Sequence, residues 1–229
     1  MALSHKIRLE DLAEISPLTD NQKKAFKAYK DDRSLVLAGS AGTGKTFLAL
    51  YLGLEDVLDR ETPYDKLVVV RSIVPTRDIG FLPGTEQEKE DPYTAPYRSA
   101  CTELFGDPEA WNKLRNAGNV SFMNTSFIRG VTLNNAIIII DEMQNLNFHE
   151  LDTVITRVGR NCKFMMCGDY YQSDFEKDKD KNGILTFLEI IEQLRNFEVI
   201  EFSWEDIVRS DFVRDYIMTK EMMNKNGKV

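Results

Sequence analysis

One glycine-rich stretch constrains the fold of this chain more than any other feature of its sequence. A short apolar run, Leu35-Val-Leu-Ala38, leads into G-x-x-x-x-G-K-T at residues 39–46, and a second apolar run without breakers follows. This order predicts a buried strand, a tight turn and the start of a helix, which is the setting of a phosphate-binding loop. Successive backbone N–H groups of such a loop face one concavity at a helix N-terminus. The stretch therefore predicts that the chain binds a nucleoside triphosphate.

Each part of this loop has a predicted role. The loop backbone would surround the phosphates, the Lys45 ammonium would reach the β- and γ-phosphates, and the Thr46 hydroxyl would hold Mg²⁺. The predicted nucleotide-binding residues of the loop are Gly39, Ser40, Ala41, Gly42, Thr43, Gly44, Lys45 and Thr46. The alternative is a chance glycine turn before a helix, and the full match with apolar runs on both sides argues against it.

Two acidic residues follow another strand-like run. Asp141 comes directly after Ala136-Ile-Ile-Ile-Ile140. Because β-branched residues favour strands, the Asp141 carboxylate should lie at the carboxyl end of a central strand, the edge where open α/β sheets bind ligands. There Asp141 would hold Mg²⁺, usually through water, and Glu142 would act as general base on the attacking water. The alternative is a pair of strand-end carboxylates that face solvent.

A further motif, Gly168-Asp-Tyr-Tyr-Gln172, closes the next predicted strand. Gln172 could sense the γ-phosphate or orient the attacking water, as a glutamine does in some GTPases. The motif alone is a weak signal. Its position after the acidic strand is what makes Gln172 a catalytic candidate.

Strand-like and helical segments alternate along the chain. This alternation predicts an α/β fold in which helices cover both faces of a mostly parallel sheet. Strands are predicted at residues 35–38, 67–71, 120–123, 136–140, 163–168 and 198–202, and helices at 19–32, from 45 to before 62, 97–117, 147–158, 184–194 and from 211 onward. Residues 72–96 and 174–183 are predicted connections, the first too long and too rich in breakers to be an ordinary one. Since no repeat or linker is evident, we predict a single domain over residues 1–229.

Charge limits the class of partner. The formal net charge of −8 argues against a protein that coats nucleic acid through bulk charge, but a local basic track remains compatible with it. Two groups of lysines could form such a track or could equally be solvated helix faces. They are Lys23, Lys24, Lys27 and Lys30 before the loop, and Lys220, Lys225 and Lys228 near the end.

Apolar runs and cysteines indicate the cellular compartment of the protein. The longest apolar run, residues 136–140, is far shorter than a membrane span, and the N-terminal residues do not resemble a secretory signal. Cys101, Cys162 and Cys167 are odd in number and lack zinc-site spacing, so we expect buried free thiols. These features predict a cytoplasmic protein without membrane contact.

Several motifs, taken in order, resemble a known family. Leu18-Thr-Asp-Asn-Gln22, Asp141-Glu-Met-Gln-Asn145 and residues 168–172 resemble motifs of superfamily-one helicase ATPases. The closer resemblance is to PhoH-like proteins and runs from about residue 17 to 217. It is carried by residues 39–46, Val70-Arg71 with Gly80-Phe-Leu-Pro-Gly84, Glu88-Lys89 with Asp91-Pro-Tyr93 and Pro96, Ile128-Arg-Gly-Val-Thr-Leu-Asn-Asn-Ala136, and Glu205-Asp-Ile-Val-Arg209. The chain departs mildly from the family at Met143 and Ser40, where alanine and proline are common.

This resemblance implies a three-layer RecA-like P-loop NTPase core that hydrolyses ATP with Mg²⁺ and is coupled to RNA or single-stranded DNA. It implies that Gln22, on the helix at about 17–32, reads the adenine edge, although an exposed helix glutamine is the alternative. Arg209 would be an arginine finger for the γ-phosphate, or else a surface arginine paired with Glu205 or Asp206. Arg71 and Arg129 could touch phosphates or nucleic acid, or hold loops.

Assembly and partners follow from the same resemblance. A superfamily-one helicase uses two cores, so one core per chain implies a homo-oligomer, such as a hexameric ring, in which a neighbouring subunit completes the site. We place nucleic-acid contact in residues 72–96, where Phe81 and Tyr93 could stack on bases or pack internally. Two other functions stay open, a small-molecule phosphotransferase and a non-catalytic nucleotide switch. The first would need an arginine-rich lid, and residues 174–183 contain no arginine. The presence of Glu142 and Gln172 argues against the second.

Overall fold

Six strands form the centre of the part of the chain that the structure describes. A computed structural model describes residues 6–72, 86–125, 128, 130–169 and 178–225 of the chain. The strands, β1 to β6, are Ser34–Gly39, Lys66–Arg71, Val120–Asn124, Ala136–Ile140, Cys162–Gly168 and Phe197–Phe202. They make one sheet in the order β3-β2-β4-β5-β1-β6, and every neighbouring pair is parallel. The carboxyl ends of all six strands therefore meet at one edge.

Helices cover both faces of this sheet. In the described parts of the chain they are Asp20–Lys30 (α1), Lys45–Leu58 (α2), Glu86–Phe105 (α3), Ala110–Asn116 (α4), Phe148–Ile155 (α5), Asp178–Glu192 (α6) and Asp211–Lys225 (α7). Helices α1 to α4 contribute to one hydrophobic core, and α5 and α6 contribute to the other. The molecule thus has three layers, as the sequence predicts.

Strand β4 explains why the sequence of a central strand is apolar throughout. Ile137 and Ile139 belong to the core beneath α1 to α4, whereas Ile138 and Ile140 belong to the core beneath α5 and α6. All four side chains are completely buried. A parallel strand covered on both faces needs an apolar residue at every position. The predicted three-layer α/β fold is confirmed, and the sheet of the described residues is parallel throughout rather than mostly so.

The two predicted connections are wrong in part. Residues 86–96 belong to α3 and residues 178–183 belong to α6, while 73–85 and 174–177 lie outside the described residues. Helix α3 contains Pro92 and Pro96, which the sequence-based prediction treated as breakers. A proline removes one helical hydrogen bond, but burial of later turns can hold the helix together. Tyr97, Cys101 and Leu104 supply that burial in α3.

Two further predictions concern membrane-spanning helices and the state of the cysteines. None of the helices in the described ranges is both long enough and apolar enough to cross a bilayer. The three cysteines are free, with Cys101 and Cys167 buried and Cys162 half-buried. Burial raises the pKa of the Cys101 thiol to about 12, so it stays protonated near neutral pH.

Candidate active site

The phosphate loop connects β1 to α2 at the carboxyl edge of the sheet. Gly39 and Gly44 have φ angles of 120° and 81°, which L-residues with a side chain rarely adopt. A Cβ at Gly39 would also overlap the carbonyl oxygen of Phe202 on β6. Gly44 is the N-cap of α2, so the first turn of this helix opens onto the loop. The geometry matches an anion-binding helix N-terminus.

Lys45 lies folded over the loop. Its Nζ donates hydrogen bonds to the carbonyl oxygens of Gly39 at 2.8 Å and Ser40 at 2.7 Å, and to Thr43 Oγ1 at 3.2 Å. Burial lowers the pKa of Lys45, and the negative charges of nearby carboxylates oppose that effect. The ammonium is therefore held among loop oxygens that phosphate oxygens could replace.

Thr46 connects the loop to the acidic strand. Its Oγ1 donates a 2.7 Å hydrogen bond to Oδ1 of Asp141, which follows β4 and is 4% exposed. The other oxygen, Oδ2, accepts a 2.7 Å hydrogen bond from the hydroxyl of Tyr97 on α3. Arg71 Nη1 lies 4.0 Å from the same Oδ2. Both oxygens of the Asp141 carboxylate thus have fixed partners.

Glu142 has an unusual backbone conformation beside this aspartate. Its φ and ψ are 51° and 46°, in the left-handed region, which costs about 1–2 kcal/mol for a residue with a side chain. Its Oε2 accepts a 2.5 Å hydrogen bond from Gln144 Nε2, and its Oε1 lies 3.9 Å from Arg71 Nη2. Gln144 Oε1 in turn accepts from the backbone N–H of Asp169 at 3.1 Å. Gln144 therefore links Glu142 to the end of β5.

These groups line one cavity of about 470 Å³. Its walls include the loop from Ala41 to Thr46, the acidic pair, Asp169 and Arg209. Arg209 is exposed, and its Cγ lies 3.1 Å from the position of a Cβ built on Gly42. It makes no ion pair with Glu205 or Asp206, both of which lie in the described part of the chain. The predicted finger and the predicted loop are thus adjacent.

Gln22 lies behind the loop. It is 7% exposed, its Oε1 accepts from the backbone N–H of Leu18 at 2.7 Å, and its Nε2 donates to the carbonyl of Thr43 at 3.2 Å. An amide group has two donor hydrogens and two acceptor lone pairs, so one of each stays free of these bonds. Gln22 is not the exposed helix glutamine that was the alternative. Its predicted contact with adenine stays a prediction.

Other predicted residues fall outside this geometry. Gln172, Arg129 and Phe81 lie outside the described residues. Tyr93 is half-buried and packs against the core on the α1 to α4 side. Arg71, for which phosphate contact and loop support were both open, lies beside the acidic pair.

Sequence reasoning missed several contacts at the site. Tyr97 lies 44 positions before Asp141, and only the packing of α3 brings the two together. Glu221 on α7 accepts hydrogen bonds from Ser40 Oγ, at 3.0 Å, and from Trp204 Nε1. The sequence around Glu221 predicts a helix with scattered lysines, and carries no signal of contact with the loop.

The oxygen donors of the site suit Mg²⁺. No cluster of three or more His, Cys, Asp or Glu side chains capable of holding a metal occurs in the described ranges. At the loop, however, the Thr46 hydroxyl and the Asp141 carboxylate are adjacent oxygen donors. Mg²⁺ usually takes one or two protein oxygens and completes its shell with water and substrate phosphates. These residues therefore fit a metal that arrives with a nucleotide.

Comparison with known proteins identifies the family. A family model described as "PhoH-like protein" matches residues 14–221. The chain belongs to the PhoH-like family. Among curated relatives, a PhoH-like protein of Mycobacterium tuberculosis (strain ATCC 25618 / H37Rv) is 32% identical over 204 residues, covering 89% of this chain and 57% of the relative. Protein PhoH2 of Bacillus subtilis (strain 168) is 41% identical over 184 residues, covering 76% of this chain and 41% of the relative. This PhoH-like chain thus spans about half the length of the curated relatives it matches.

Solved structures show more distant likeness. The Pyrococcus furiosus Hef helicase domain is 13% identical with a TM-score of 0.46, covering 88% of this PhoH-like chain and 40% of that chain. A Bacteroides Pif1 bound to ssDNA is 15% identical with a TM-score of 0.38, covering 93% and 49% respectively. The family assignment rests on the sequence matches.

Proposed function

We propose that this PhoH-like protein binds ATP, hydrolyses it with Mg²⁺, and couples hydrolysis to RNA or single-stranded DNA. One observation carries the hydrolytic part. The 2.7 Å hydrogen bond between Thr46 and Asp141 brings together the phosphate loop and the acidic strand end, the two elements that Mg²⁺-dependent nucleotide hydrolysis requires. Glu142, the next residue, lines the same cavity as the loop.

Each side chain has a role in this proposal. The Lys45 ammonium would donate to phosphate oxygens in place of the loop carbonyl oxygens. Thr46 and Asp141 would hold Mg²⁺, which when bound neutralises phosphate charge. Glu142 would accept a proton from the attacking water. Its hydrogen bond from Gln144 and the nearby Arg71 would orient its carboxylate for that task. Arg209 would stabilise charge on the γ-phosphate, from its own or a neighbouring subunit.

Coupling to nucleic acid is supported by the path of α3. This helix includes the last part of residues 72–96, the segment where we place nucleic-acid contact, and it carries Tyr97 into contact with Asp141. A ligand that moves α3 would therefore move a group bonded to the proposed metal site. The lysines of α1 support the coupling less, because Lys23 pairs with Asp20 and Lys24 bonds to Asn21 within their own helix.

Steady-state ATP hydrolysis tests the function. We would measure it with Mg²⁺, alone and with polyuridine RNA or polythymidine DNA. We expect stimulation by at least one polymer, loss of activity in Lys45→Ala, and a decrease of about 10²–10⁴-fold in Glu142→Gln with nucleotide still bound. Hydrolysis indifferent to both polymers would contradict the coupling and favour a protein-controlled switch. No hydrolysis by the folded wild-type chain would contradict the ATPase and favour transfer to a small-molecule acceptor.

We also propose that the chain assembles into a homo-oligomer, such as a hexameric ring. Arg209 supports this, because it is exposed at the rim of the cavity, where a neighbouring subunit could share the site. Size-exclusion chromatography with light scattering, in the presence of ATP and Mg²⁺, measures the assembly directly. A strict monomer under these conditions would contradict it.

A further inference from the structure

We infer, on the basis of the proposed function, that Tyr97 is a positioning residue for the Mg²⁺ site. Its hydroxyl holds one oxygen of Asp141, so that the other oxygen faces Thr46. The residue touches neither the nucleotide-binding loop nor the acidic Glu142 through any hydrogen bond recorded between described residues. Arg71 also lies beside the Tyr97 hydroxyl, so that Tyr97 and Arg71 flank the same Asp141 oxygen.

The carboxylate of Asp141 is divided between two partners. Oδ2 accepts from the Tyr97 hydroxyl and Oδ1 accepts from Thr46 Oγ1, each at 2.7 Å. Rotation of the carboxylate about its terminal torsion, which is otherwise broad, would break both bonds together. Since Asp141 is 4% exposed, water has little access to replace either partner. The plane of the carboxylate is therefore fixed before any metal arrives.

Tyr97 can fix the carboxylate because its own ring is held in place. The side chain is completely buried. Its ring lies 5.9 Å from that of Trp111 on α4 and 6.0 Å from that of Phe122 on β3, measured between centroids. Aromatic neighbours at these distances pack favourably and restrict the ring. The hydroxyl thus occupies a position set by two other elements of the fold.

Groups that orient a metal ligand are worth about 10–100-fold in metal affinity or activity. Removal of the Tyr97 hydroxyl should therefore weaken Mg²⁺-dependent binding of nucleotide without weakening the contacts that the loop makes to phosphate. This separation distinguishes a positioning residue from a residue that only stabilises the fold. It can be measured without any hydrolysis.

The test is calorimetric titration of Tyr97→Phe with the non-hydrolysable analogue AMP-PNP, with Mg²⁺ and with EDTA. Phenylalanine keeps the ring contacts and removes only the hydroxyl. We expect the Kd in EDTA to stay within about twofold of wild type, and the gain in affinity from Mg²⁺ to fall about 10–100-fold. An unchanged gain in Tyr97→Phe, with a normal gain in wild type, would overturn the inference and leave the proposed function intact. A wild-type Kd indifferent to Mg²⁺ would overturn both.

Tyr29→Phe is the matched control. Tyr29 is also buried, and its hydroxyl donates a 2.8 Å hydrogen bond to Asp56 Oδ2, away from the loop. Both variants should lose a similar amount of thermal stability, but only Tyr97→Phe should lose the effect of Mg²⁺. Equal loss of the Mg²⁺ effect in both would assign Tyr97 a purely structural role. If Tyr97→Phe does not fold, Phe122→Leu is the second variant, because it removes an aromatic contact that holds the Tyr97 ring in place. An unchanged gain in AMP-PNP affinity from Mg²⁺ in Phe122→Leu would then overturn the inference.

Discussion

Gln22 donates a 3.2 Å hydrogen bond from its side-chain amide to the backbone carbonyl of Thr43, 21 positions further along the chain. Its carbonyl oxygen accepts from the backbone of Leu18, just before α1. The start of α1 and the phosphate loop are therefore joined through one buried amide. Any contact of Gln22 with a nucleotide base would add to this internal role.

Replacing Gln22 separates these two roles. We expect Gln22→Ala to weaken ATP binding about tenfold. The substitution removes the hydrogen bonds that hold the phosphate loop against α1, and each such bond contributes about 1 kcal/mol net. If Gln22 reads adenine, the preference for ATP over GTP should decrease as well. Competition titrations with ATP and GTP measure both quantities. An equal loss of affinity for the two nucleotides would mean that Gln22 only anchors the loop.

Gly39 should tolerate no side chain. We expect Gly39→Ala to lower the free energy of unfolding by at least about 2 kcal/mol, for two reasons. The new Cβ would clash with the backbone of β6, and alanine would be strained at the positive φ of this position. The matched control is Gly118→Ala. Gly118 has a φ of 78° but nothing within 4 Å of a Cβ. Gly118→Ala should therefore lower the free energy of unfolding only by the backbone strain, about 1 kcal/mol. Urea unfolding compares the two, and equal losses would contradict the clash.

Gln144 should affect the rate of hydrolysis more than the binding of nucleotide. We expect Gln144→Ala to lower kcat about 10–100-fold, because Glu142 loses the hydrogen bond that orients its carboxylate. The Kd for AMP-PNP should stay within about twofold of wild type. Gln193→Ala, at an exposed glutamine, is the control for loss of an amide. A parallel loss of binding and rate in Gln144→Ala would contradict the orienting role.

Stability should decrease in alkaline solution. Burial raises the pKa of the Cys101 thiol from 9.0 to about 12, so the folded form keeps a proton that the unfolded form loses. This stabilising contribution is complete below pH 9 and is lost as pH rises toward 12. The free energy of unfolding should therefore fall over this range, by at most about 1.4 kcal/mol per pH unit from this group. Urea unfolding at several pH values should give a shallower decrease for Cys101→Ala than for wild type, and identical slopes would contradict the assignment.

Local sequence patterns were enough to predict that the phosphate loop and the acidic strand end lie together. The loop glycines and the isoleucine run each determine a strand end, and parallel strands place their carboxyl ends at one edge. The proximity of Thr46 and Asp141 follows from those two facts. The apolar character of β4 likewise follows from its burial on both faces.

Contacts that depend on tertiary packing were beyond such patterns. Tyr97 looks like any buried aromatic residue of a helix, and its role arises only because α3 passes over the end of β4. The start of α3 was missed because Pro92 and Pro96 are locally unfavourable in a helix, whereas burial of Tyr97, Cys101 and Leu104 outweighs that cost. The approach of Glu221 to Ser40 depends on the return of α7 to the loop, which no periodicity indicates.

The order of the strands also determines when the loop can form as the chain is synthesised. Strand β1 lies between β5 and β6, and Leu35 pairs with Met165 while Ser34 pairs with Phe197. The strand that precedes the loop therefore acquires both of its neighbours only after residue 202 has left the ribosome. Such long-range pairings form slowly. Until residue 168 has emerged, β1 has no strand to pair with, and the nascent chain exposes the apolar run from Leu35 to Ala38, a surface prone to aggregation.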